Sequence, residues 1–452
     1  MASAEAAAKL SGLALTFVLA RVLHPAGYGA FAVAYAFGSI FGVACPGVQP
    51  LAIREISRHP RATRGLLWTG LWIRGYVGLA ALALAACIAA FVPFDAPTKI
   101  AGLTFALSVV LDGMTAQAMT LFRGRQTMGI EARVMSAARF ANLVVTLVAV
   151  AIVPDVVHVA AASALTSLGL VAYALRLVAR DVPPARLRPR AARVFFMHAL
   201  PYAAGALLVY VFFRIDVLVL RFLGVAEAAI GTYSAAYRVM EVTRVPSAVL
   251  AQGFGPAAAR FRRSPDRTGL IALASRTWTL TLAIALPSVI AFVLAGGLVV
   301  HVVFGNAYRA AIPMLLAMSA MPAFMAFNGV AIQTVNSQGK QRSATIIFGV
   351  CAVVNVVANL ILIPRIGALG AAFATILTEV VQTVALLAWL VRSVGIPRPA
   401  LATMLAGLCG ALAAGFAVPA KFAVPRLALA LLVYAAVIAA SRLRRTAGQA
   451  FA

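Results

Sequence analysis

The chain contains 452 residues, of which 63% are hydrophobic and 11% are charged, and its mean hydropathy is +0.98. A soluble domain carries roughly a quarter charged residues, so this composition excludes an ordinary soluble protein. The formal net charge of +26 would suit a nucleic-acid-binding protein, but the cations lie in loops between long apolar segments. We therefore expect a membrane protein without a nucleic-acid partner.

Apolar segments follow one another along almost the whole chain. A bilayer core of about 30 Å requires about 20 apolar residues per helix. About fourteen segments approach this requirement, and in chain order they are residues 3–23, 28–52, 66–93, 99–121, 135–153, 157–175, 195–220, 228–258, 277–303, 310–336, 343–363, 367–391, 399–418 and 424–441. The sequence therefore predicts an all-α polytopic membrane protein with about 14 transmembrane helices.

Positive charge alternates between successive loops. The loops after spans 2, 4, 6, 8, 10 and 12, with the C-terminal tail, hold 25 of the 38 lysines and arginines, and the opposite loops hold 6. Because short cytoplasmic loops carry the excess of these residues, we expect the arginine-rich loops and both termini to be cytoplasmic. The same charge would attract anionic lipids at the cytoplasmic face.

The four cysteines do not have the spacing of a disulfide or a metal site. Cys45, Cys87, Cys351 and Cys409 all lie within predicted spans, without a CxxC pair. Neither a disulfide nor a zinc site is expected from this pattern. The sequence also has no phosphate-binding loop motif, so we expect no metal and no bound cofactor.

Short sequences recur six spans apart, which indicates duplicated halves. The matching pairs are residues 21–26 with 221–226, 29–35 with 231–237, and 124–126 with 339–341. An even number of spans preserves orientation, so the repeat is predicted to be parallel and pseudo-symmetric, as in transporters that open alternately to each side.

Four regions follow from this division. We predict an N-terminal six-helix lobe at 1–180, a basic cytoplasmic linker at 181–194, a C-terminal six-helix lobe at 195–394, and an additional helix pair with a basic tail at 395–452.

Several of these motifs resemble a known family. Residues 21–31 read Arg-Val-Leu-His-Pro-Ala-Gly-Tyr-Gly-Ala-Phe, and further matches lie at 54–55, 214–216, 231–238, 304–308 and 355–372. Together they resemble the bacterial polysaccharide-biosynthesis or O-antigen flippases (Wzx-type), a branch of the superfamily that includes MATE exporters and the lipid II flippase. The family usually has glycine where this chain has His24.

The resemblance implies a function as well as a fold. It implies two MATE-like six-helix lobes around a central cavity in the bacterial inner membrane. It also implies translocation of an undecaprenyl-diphosphate-linked oligosaccharide to the outer leaflet, where a polysaccharide polymerase would be a partner.

Charged residues inside spans are costly and are functional candidates. Arg74 and Asp112 lie at similar depths in spans 3 and 4. They either neutralise each other or place the arginine in the cavity, where its planar fork would bind the diphosphate. Arg139 in span 5 is a second candidate phosphate contact, unless it reaches back to the interface.

Span 8 carries Arg238, Glu241 and Arg244 on one helical stripe. This stripe is either an ion-pair ladder or a polar cavity wall in which Glu241 carries a proton. Glu379, near the middle of span 12, is the other candidate for coupling to H⁺ or Na⁺, together with Asp112.

Three more polar residues are site candidates. The family resemblance makes Asp216 in span 7 a candidate structural or coupling residue. Asn328 and Asn355 in spans 10 and 11 either hold helices together or bond sugar hydroxyls.

The sequence argues against three other functions. A MATE-like multidrug or cation antiporter needs an acidic cavity, whereas the first lobe has two arginines against one aspartate. A membrane glycosyltransferase or polymerase needs a sizeable outer loop, and the longest outer connector has fewer than ten residues. A lipid II flippase shares the predicted layout, but the motifs are closer to the polysaccharide branch.

Overall fold

A computed structural model describes residues 2–42, 47–187, 189–263, 267–394, 399–419 and 422–450. Within these ranges the chain forms helices joined by turns and contains no strand, so the all-α prediction is confirmed for the described part. The chain forms two compact units, Met1–Gly231 and Thr232–Ala452. Cys45, residue 188 of the predicted linker, and residues 395–398 of the predicted C-terminal region lie outside the described residues.

The described residues of the first unit form eight helices and the beginning of a ninth. They are α1 (Ala2–Gly42), α2 (Val48–Arg58), α3 (Thr63–Phe91), α4 (Ala96–Ala118), α5 (Thr120–Gly124), α6 (Met128–Ile152), α7 (Val156–Asp181), α8 (Pro189–Phe222) and the first turn of α9 (Glu227–Ala259). Helix α4 packs against α7, α1 and α3, and α6 packs against α7 and α1. Leu67, Met119 and Leu121 belong to the buried apolar core at one end of these helices.

The described part of the second unit contains the remainder of α9 and seven further helices. They are α10 (Thr268–Phe304), α11 (Ile312–Ala317), α12 (Met321–Ser337), α13 (Gln341–Ile366), α14 (Ala368–Ser393), α15 (Pro399–Phe416) and α16 (Ala423–Ala450). Helix α10 packs against α12, and α13 and α12 pack against α14. The last two helices also pack on α10, where Ile290 and Tyr434 belong to the same apolar cluster.

Eight helices of the described residues are long and apolar enough to cross a membrane, or nine if one bent pair is a single span. They include α3, α4, α6, α7, α10, α13 and α14, and the part of α1 from residue 14 to 41. Helices also occupy predicted spans 7, 8, 13 and 14, and the total of fourteen spans stays a prediction.

Predicted spans 1, 2 and 10 differ from the observed helices. Spans 1 and 2 were predicted at 3–23 and 28–52, whereas α1 extends from Ala2 to Gly42 with non-helical backbone at His24, and α2 begins at Val48. Residues 43–46 lie outside the described residues. Span 10 was predicted as one helix at 310–336, but α11 and α12 meet at a 53° bend. Pro322 lies at the start of α12, where proline is favoured and cannot bond to the preceding turn.

The repeated sequences form similar turns. Gly224 has a φ of +76°, and His24, its partner in the repeat, has a φ of +57°. After α5 the amides of residues 125, 126 and 127 bond to carbonyls four, three and five residues earlier, and those of residues 338, 339 and 340 do the same after α12. Gln126 therefore corresponds to Gly339, both with positive φ, which shifts the sequence match of 124–126 with 339–341 by two residues.

Two glycines of the repeat contact each other's helices closely. A Cβ atom at Gly29 of α1 would overlap the carbonyl of Glu227, and one at Gly231 of α9 would overlap the carbonyl of Pro25. One of these carbonyls lies four residues before Gly231 and the other lies four residues before Gly29. Only the absence of a side chain at both glycines permits this approach.

The first described part of the linker is bound along α3. Trp68 Nε1 donates to the carbonyl of Val182 at 3.1 Å, and Trp72 Nε1 donates to that of Ala185 at 3.1 Å. Arg64 donates to the carbonyls of Pro183 and Pro184 at 3.0 and 2.7 Å. Residues 64, 68 and 72 lie one turn apart on one face of the helix. Their N–H groups donate to the carbonyls of a proline-containing segment, which has few amide donors of its own.

Candidate functional site

A polar cavity of about 420 Å³ lies among α1, α3, α4, α6 and α7 of the first unit. Its lining combines charged, hydroxyl and amide side chains in an otherwise apolar helix bundle. The polar lining residues are Tyr35, Arg74, Ser108, Asp112, Arg139, Asn142, Ser163, Thr166 and Ser167. Three of the predicted site residues, Arg74, Asp112 and Arg139, therefore meet in one place.

The absence of a side chain at Gly113 gives Arg74 its place in this cavity. The guanidinium lies against Gly113, where a Cβ atom would overlap it, and Arg74 is 9% exposed. Asp112 and Gly113 of α4 both line the cavity, so the surface that carries the carboxylate also provides the gap for the arginine. One turn away, Gly70 of α3 makes room for Gln117 of α4. The interface of the two helices thus alternates glycine with a long polar side chain.

Asp112 has partners on two other helices. Ser167 of α7 donates its hydroxyl to Asp112 Oδ1 at 2.8 Å. Arg139 of α6 interacts with the same carboxylate electrostatically. Beside them, the Thr166 hydroxyl lies 2.9 Å from the Asn142 amide oxygen. The predicted pair of Asp112 with Arg74 stays a prediction, and both residues line the same cavity.

The cavity lining carries two arginines and one aspartate, so its formal charge is positive. Guanidinium groups form bidentate hydrogen bonds with phosphate oxygens and stay charged when partly dehydrated. Hydroxyl and amide groups around them bond equally well to sugar hydroxyls. The arrangement can bind an anion attached to a polar group.

A second polar cluster is buried in the other unit. Asn328 Nδ2 donates to Glu379 Oε2 at 2.9 Å, and the Thr383 hydroxyl donates to Asn328 Oδ1 at 3.0 Å. Glu379 is 3% exposed and interacts electrostatically with Arg244. The structure thus joins the predicted residues Glu379, Asn328 and Arg244 across α14, α12 and α9.

Asn355 occupies the neighbouring helix interface. Its Nδ2 donates to Thr378 of α14 at 3.3 Å, and Asn359 Nδ2 donates to Asn355 Oδ1 at 3.0 Å. One turn earlier on α14, the Thr375 hydroxyl is 3.1 Å from that of Tyr233. Amides that join helices in this way hold the bundle together.

Arg238 and Glu241 form an ion pair on α9, with 2.6 Å between Nη1 and Oε2. Both side chains are largely buried. Asp216 of α8 is 4% exposed, and its Oδ1 accepts a hydrogen bond from the Val217 amide at 2.9 Å. Arg214, two residues earlier, lies 5.6 Å from the centre of the Tyr35 ring.

A carboxylate pair lies outside the predicted spans. Arg221 Nη2 is 3.6 Å from Asp95 and 3.5 Å from Glu227. Burial raises the pKa of Glu227 and the charge of Asp95 raises it further, against the smaller opposite effect of Arg221. Burial acts in the same sense on Asp95, but hydrogen bonds from Thr98 and the charge of Arg221 outweigh it and lower the pKa of Asp95.

Among the described residues, no group of three or more His, Cys, Asp and Glu side chains is placed to hold a metal ion. Cys87, Cys351 and Cys409 are free thiols. The expectation of no cofactor stays a prediction.

The sequence interpretation missed several cavity residues. Ser163, Thr166 and Ser167 were not selected, although their spacing places them on one face of α7. Such a polar stripe in an apolar helix is a usable signal. The role of Gly113 had no signal in the sequence, because it depends on which helix faces α4.

Comparison with known proteins finds relatives in glycan synthesis. Residues 18–313 match the model of a family described as "Polysaccharide biosynthesis protein". The probable low-salt glycan biosynthesis flippase Agl15 of Haloferax volcanii is 25% identical over 161 residues, which is 35% of this chain and 34% of that protein. The match therefore spans about a third of the length of this curated relative.

Two solved structures share the fold. The lipid II flippase MurJ in an inward closed conformation superposes with a TM-score of 0.78 and 13% identity, covering 99% of each chain. A MATE family multidrug resistance transporter in an inward-facing conformation gives a TM-score of 0.66 and 15% identity, covering 84% of this chain and 93% of the other.

Proposed function

The chain belongs to the polysaccharide biosynthesis protein family, and on this premise we propose that it is a flippase for an undecaprenyl-diphosphate-linked oligosaccharide. The substrate would cross the bacterial inner membrane by alternating access of two parallel lobes, 1–180 and 195–394. The protein would act as a transporter and not as an enzyme. A polysaccharide polymerase would use the translocated product.

The observation that carries this proposal is the polar cavity of the first unit. Arg74 and Arg139 would bind the diphosphate, while Asp112 accepts a hydrogen bond from Ser167 at 2.8 Å and interacts electrostatically with Arg139. The surrounding hydroxyl and amide groups would bond to sugars. The prenyl chain is apolar and would stay in contact with lipid.

The same cavity favours an anionic over a cationic substrate. A multidrug exporter of cations needs an acidic cavity, and this lining has two arginines against one carboxylate. The likeness to a MATE transporter is a likeness of fold.

Ion coupling is proposed at Glu379. Its carboxylate is buried, bonded to Asn328 at 2.9 Å, and close enough to Arg244 for electrostatic interaction. Binding of H⁺ or Na⁺ would change the charge of this cluster and the packing of α14 on α12. Asp112, Asp216 and Glu241 are the other coupling candidates, although Glu241 is already paired with Arg238.

The proposed orientation follows the charge of the loops. The arginine-rich loops and both termini would face the cytoplasm and contact anionic lipids.

The function is tested in cells depleted of the protein. Intact spheroplasts are treated with an impermeant glycosidase, and the lipid-linked glycan that stays protected is measured by mass spectrometry. We expect complete repeat units to accumulate in the protected pool, and the wild-type gene to restore their exposure. Glycan that is exposed normally would contradict the proposal.

The same experiment separates the alternatives. Changed sensitivity to cationic dyes with normal glycan exposure would indicate a cation exporter. Exposed but unpolymerised glycan would indicate a polymerase, and protected peptidoglycan precursor would indicate a lipid II flippase.

Coupling is tested in proteoliposomes with Glu379→Gln and Glu241→Gln. The amide oxygen introduced by Glu379→Gln can still accept from Asn328, so the substitution removes charge and preserves the hydrogen bond. We expect Glu379→Gln to abolish the dependence of transport on an imposed H⁺ or Na⁺ gradient. Glu131→Gln is the control, because Glu131 is paired with Arg123 at 2.7 Å near the start of α6. Unchanged ion dependence in both test variants would contradict the assignment.

A further inference from the structure

A second, apolar concavity lies on the first unit beside the polar cavity. It is a groove of about 940 Å³ formed by α6 and α7. Its walls are apolar apart from Arg133, Thr166 and Tyr173, and its lining contains no acidic residue. Leu165 and Tyr173 are 65% and 55% exposed, so the groove is open along its length.

Small residues give the groove its depth. Ala137, Ala141 and Gly169 form part of its floor. A Cβ atom at Gly169 would have nothing within 4 Å, so the space beside this residue is empty. The lining extends from Ile130 to Val145 on α6, which corresponds to about 22 Å of helix. This is about three quarters of the hydrocarbon thickness of a bilayer.

A cation marks one end of this groove. Arg133 lies on the first turns of α6, next to the loop with Arg123 and Arg125. Its side chain is exposed, and its Nε is 3.4 Å from the carbonyl of Gly129. At the proposed orientation this end lies at the cytoplasmic headgroups. A chain lying in the groove would therefore place its headgroup phosphate beside Arg133.

The groove and the polar cavity share a wall. Ala138, Thr166 and Leu170 line both of them. Arg139, which lines the polar cavity, is six residues after Arg133 on α6, about 9 Å further along the helix. A phosphate at Arg133 would thus be separated from the cavity arginines by one layer of small and medium side chains.

We propose that the α6–α7 groove is the docking site for the polyprenyl chain of a lipid-linked substrate, with its diphosphate at Arg133. This inference rests on the proposed function and adds the place where the lipid is taken from the membrane. The length of the groove suits one long chain. Its shared wall with the polar cavity would link that chain to the site that would bind the glycan. These features favour a polyprenyl diphosphate over a two-chain phospholipid.

The test uses purified full-length protein in nanodiscs and a polyprenyl diphosphate with a photoreactive diazirine in its chain. Labelled peptides are identified by mass spectrometry. We expect labelling within α6 and α7, competed by unlabelled polyprenyl diphosphate and not by phosphatidylglycerol. Equal competition by phosphatidylglycerol would overturn the proposal, since the groove would then be a general lipid site. Labelling confined to other helices would also overturn it.

Gly169→Leu fills the groove without meeting a neighbouring atom, and we expect it to reduce labelling at least tenfold. Gly349→Leu is the matched control, because this glycine of α13 also has nothing within 4 Å of its Cβ position and lies outside the groove. Ala141→Leu fills the same groove from α6 and serves if Gly169→Leu does not fold. Unchanged labelling in a folded groove variant would overturn the proposal.

Arg133→Gln separates the headgroup contact from the chain contact. We expect it to weaken labelling by the diphosphate probe about tenfold and to leave labelling by the corresponding polyprenol probe unchanged. Equal labelling of wild type and variant by the diphosphate probe would remove Arg133 from the proposal. Failure of glycan transport in cells with groove labelling intact would contradict the proposed function and leave the groove assignment standing.

Discussion

Arg74 shows how one residue's role depends on the absence of another side chain. Its guanidinium occupies the space beside Gly113 on α4, next to Asp112. Arginine and lysine differ here, because only the planar fork reaches two phosphate oxygens at once.

We expect Arg74→Lys and Gly113→Ala to reduce transport by similar factors, about tenfold, because a charge-assisted hydrogen bond contributes about 1.5–3 kcal/mol. The methyl group added by Gly113→Ala would displace the guanidinium without removing it. Gly75→Ala is the control, since the nearest atom to a Cβ there is 3.9 Å away. Initial rates of glycan translocation in proteoliposomes measure the effect. Full activity of Gly113→Ala would show that Arg74 need not hold this position.

His24 is strained where its repeat partner is not. It has a φ of +57° and a ψ of 173°, a combination that is favourable only for glycine. Gly224 occupies the corresponding turn at φ +76°. The family preference for glycine at position 24 therefore has a backbone cause.

We predict that His24→Gly stabilises the protein by about 1 kcal/mol, because it relieves backbone strain of about 1–3 kcal/mol. Gly224→Ala should destabilise it by a similar amount. Thermal unfolding in detergent measures both, with Gly65→Ala as the control at a glycine that has open space. A lower midpoint for His24→Gly would mean that the imidazole makes compensating contacts.

The Asp95–Arg221–Glu227 cluster predicts opposite pH effects of two amide substitutions. The raised pKa of Glu227 gives stability that is present below its ordinary pKa of 4.5 and is lost as pH rises through the folded value. Glu227→Gln should therefore stabilise the protein at pH 7, and the gain should vanish below about pH 4.5. Solvent screening limits the effect to about 0.5 kcal/mol.

Asp95→Asn should act in the reverse direction. The pKa of Asp95 is lowered, so its contribution is present above its ordinary value and is lost as pH falls through the folded value. Asparagine preserves the helix cap at Thr98, so the loss at pH 7 reports the charge alone. Thermal midpoints of both variants between pH 3 and pH 8 test the pair, and parallel profiles would contradict the assignment.

At the scale of the helix, the linker contact on α3 is the clearest feature that sequence patterns did not indicate. The sequence predicts a basic linker at 181–194 from its arginines and prolines. It does not show that Trp68 and Trp72 donate to that linker, because tryptophans in an apolar span are indistinguishable from lipid-facing ones.

We expect Arg64→Ala to loosen this segment, because two hydrogen bonds to Pro183 and Pro184 are lost. A loss of about 1–2 kcal/mol raises the open population by a factor of about 5–30. The labelling rate of a cysteine introduced at Ala185 measures it, and Arg61→Ala is the control at an exposed arginine of the preceding turn. Equal labelling rates in the two variants would show that the prolines hold the segment without help.

The sequence predicts where helices are present, but it does not predict whether each helix is continuous. Apolar length located α3, α13 and α14 to within a few residues. The same criterion predicts α11 and α12 as one span, because the residues at the bend are as apolar as the helices that they connect. Proline marks such positions only ambiguously: Pro322 starts a helix, whereas Pro287 lies inside α10 and the non-helical residue there is Ala295.

At the scale of the whole molecule, alternating loop charge predicts the orientation of every helix. The turn at residues 125–127 and the turn at 338–340 have the same hydrogen bonds. If the halves are parallel, both turns lie on the cytoplasmic side. An inverted repeat would place them on opposite sides.

Single cysteines test this orientation in a variant without the four native cysteines. We expect Thr127→Cys and Lys340→Cys to be protected from an impermeant maleimide in intact cells, and Ala226→Cys to be labelled. All three positions are exposed in the structure. Permeabilised cells provide the control, because all three sites should then react. Opposite accessibility of positions 127 and 340 would contradict the parallel repeat.

The candidate functional residues could be identified only in part from the sequence. Arg74, Asp112 and Arg139 could be selected as charges within spans, and the structure places them around one cavity. The joining of Glu379 to Asn328 could not be read, since these residues are far apart in the chain and no periodicity connects two separate helices.

The close approach of Gly29 and Gly231 has a consequence for the origin of the chain. Each residue packs on the carbonyl four positions before the other, and the two stand at matching places in the repeat. A shorter ancestor with one half only would make the same contact between two identical glycines across a twofold axis, as homodimers do. Fusion of two such copies would preserve the contact while allowing each half to acquire its own chemistry: arginines around one cavity, and a buried glutamate in the other unit.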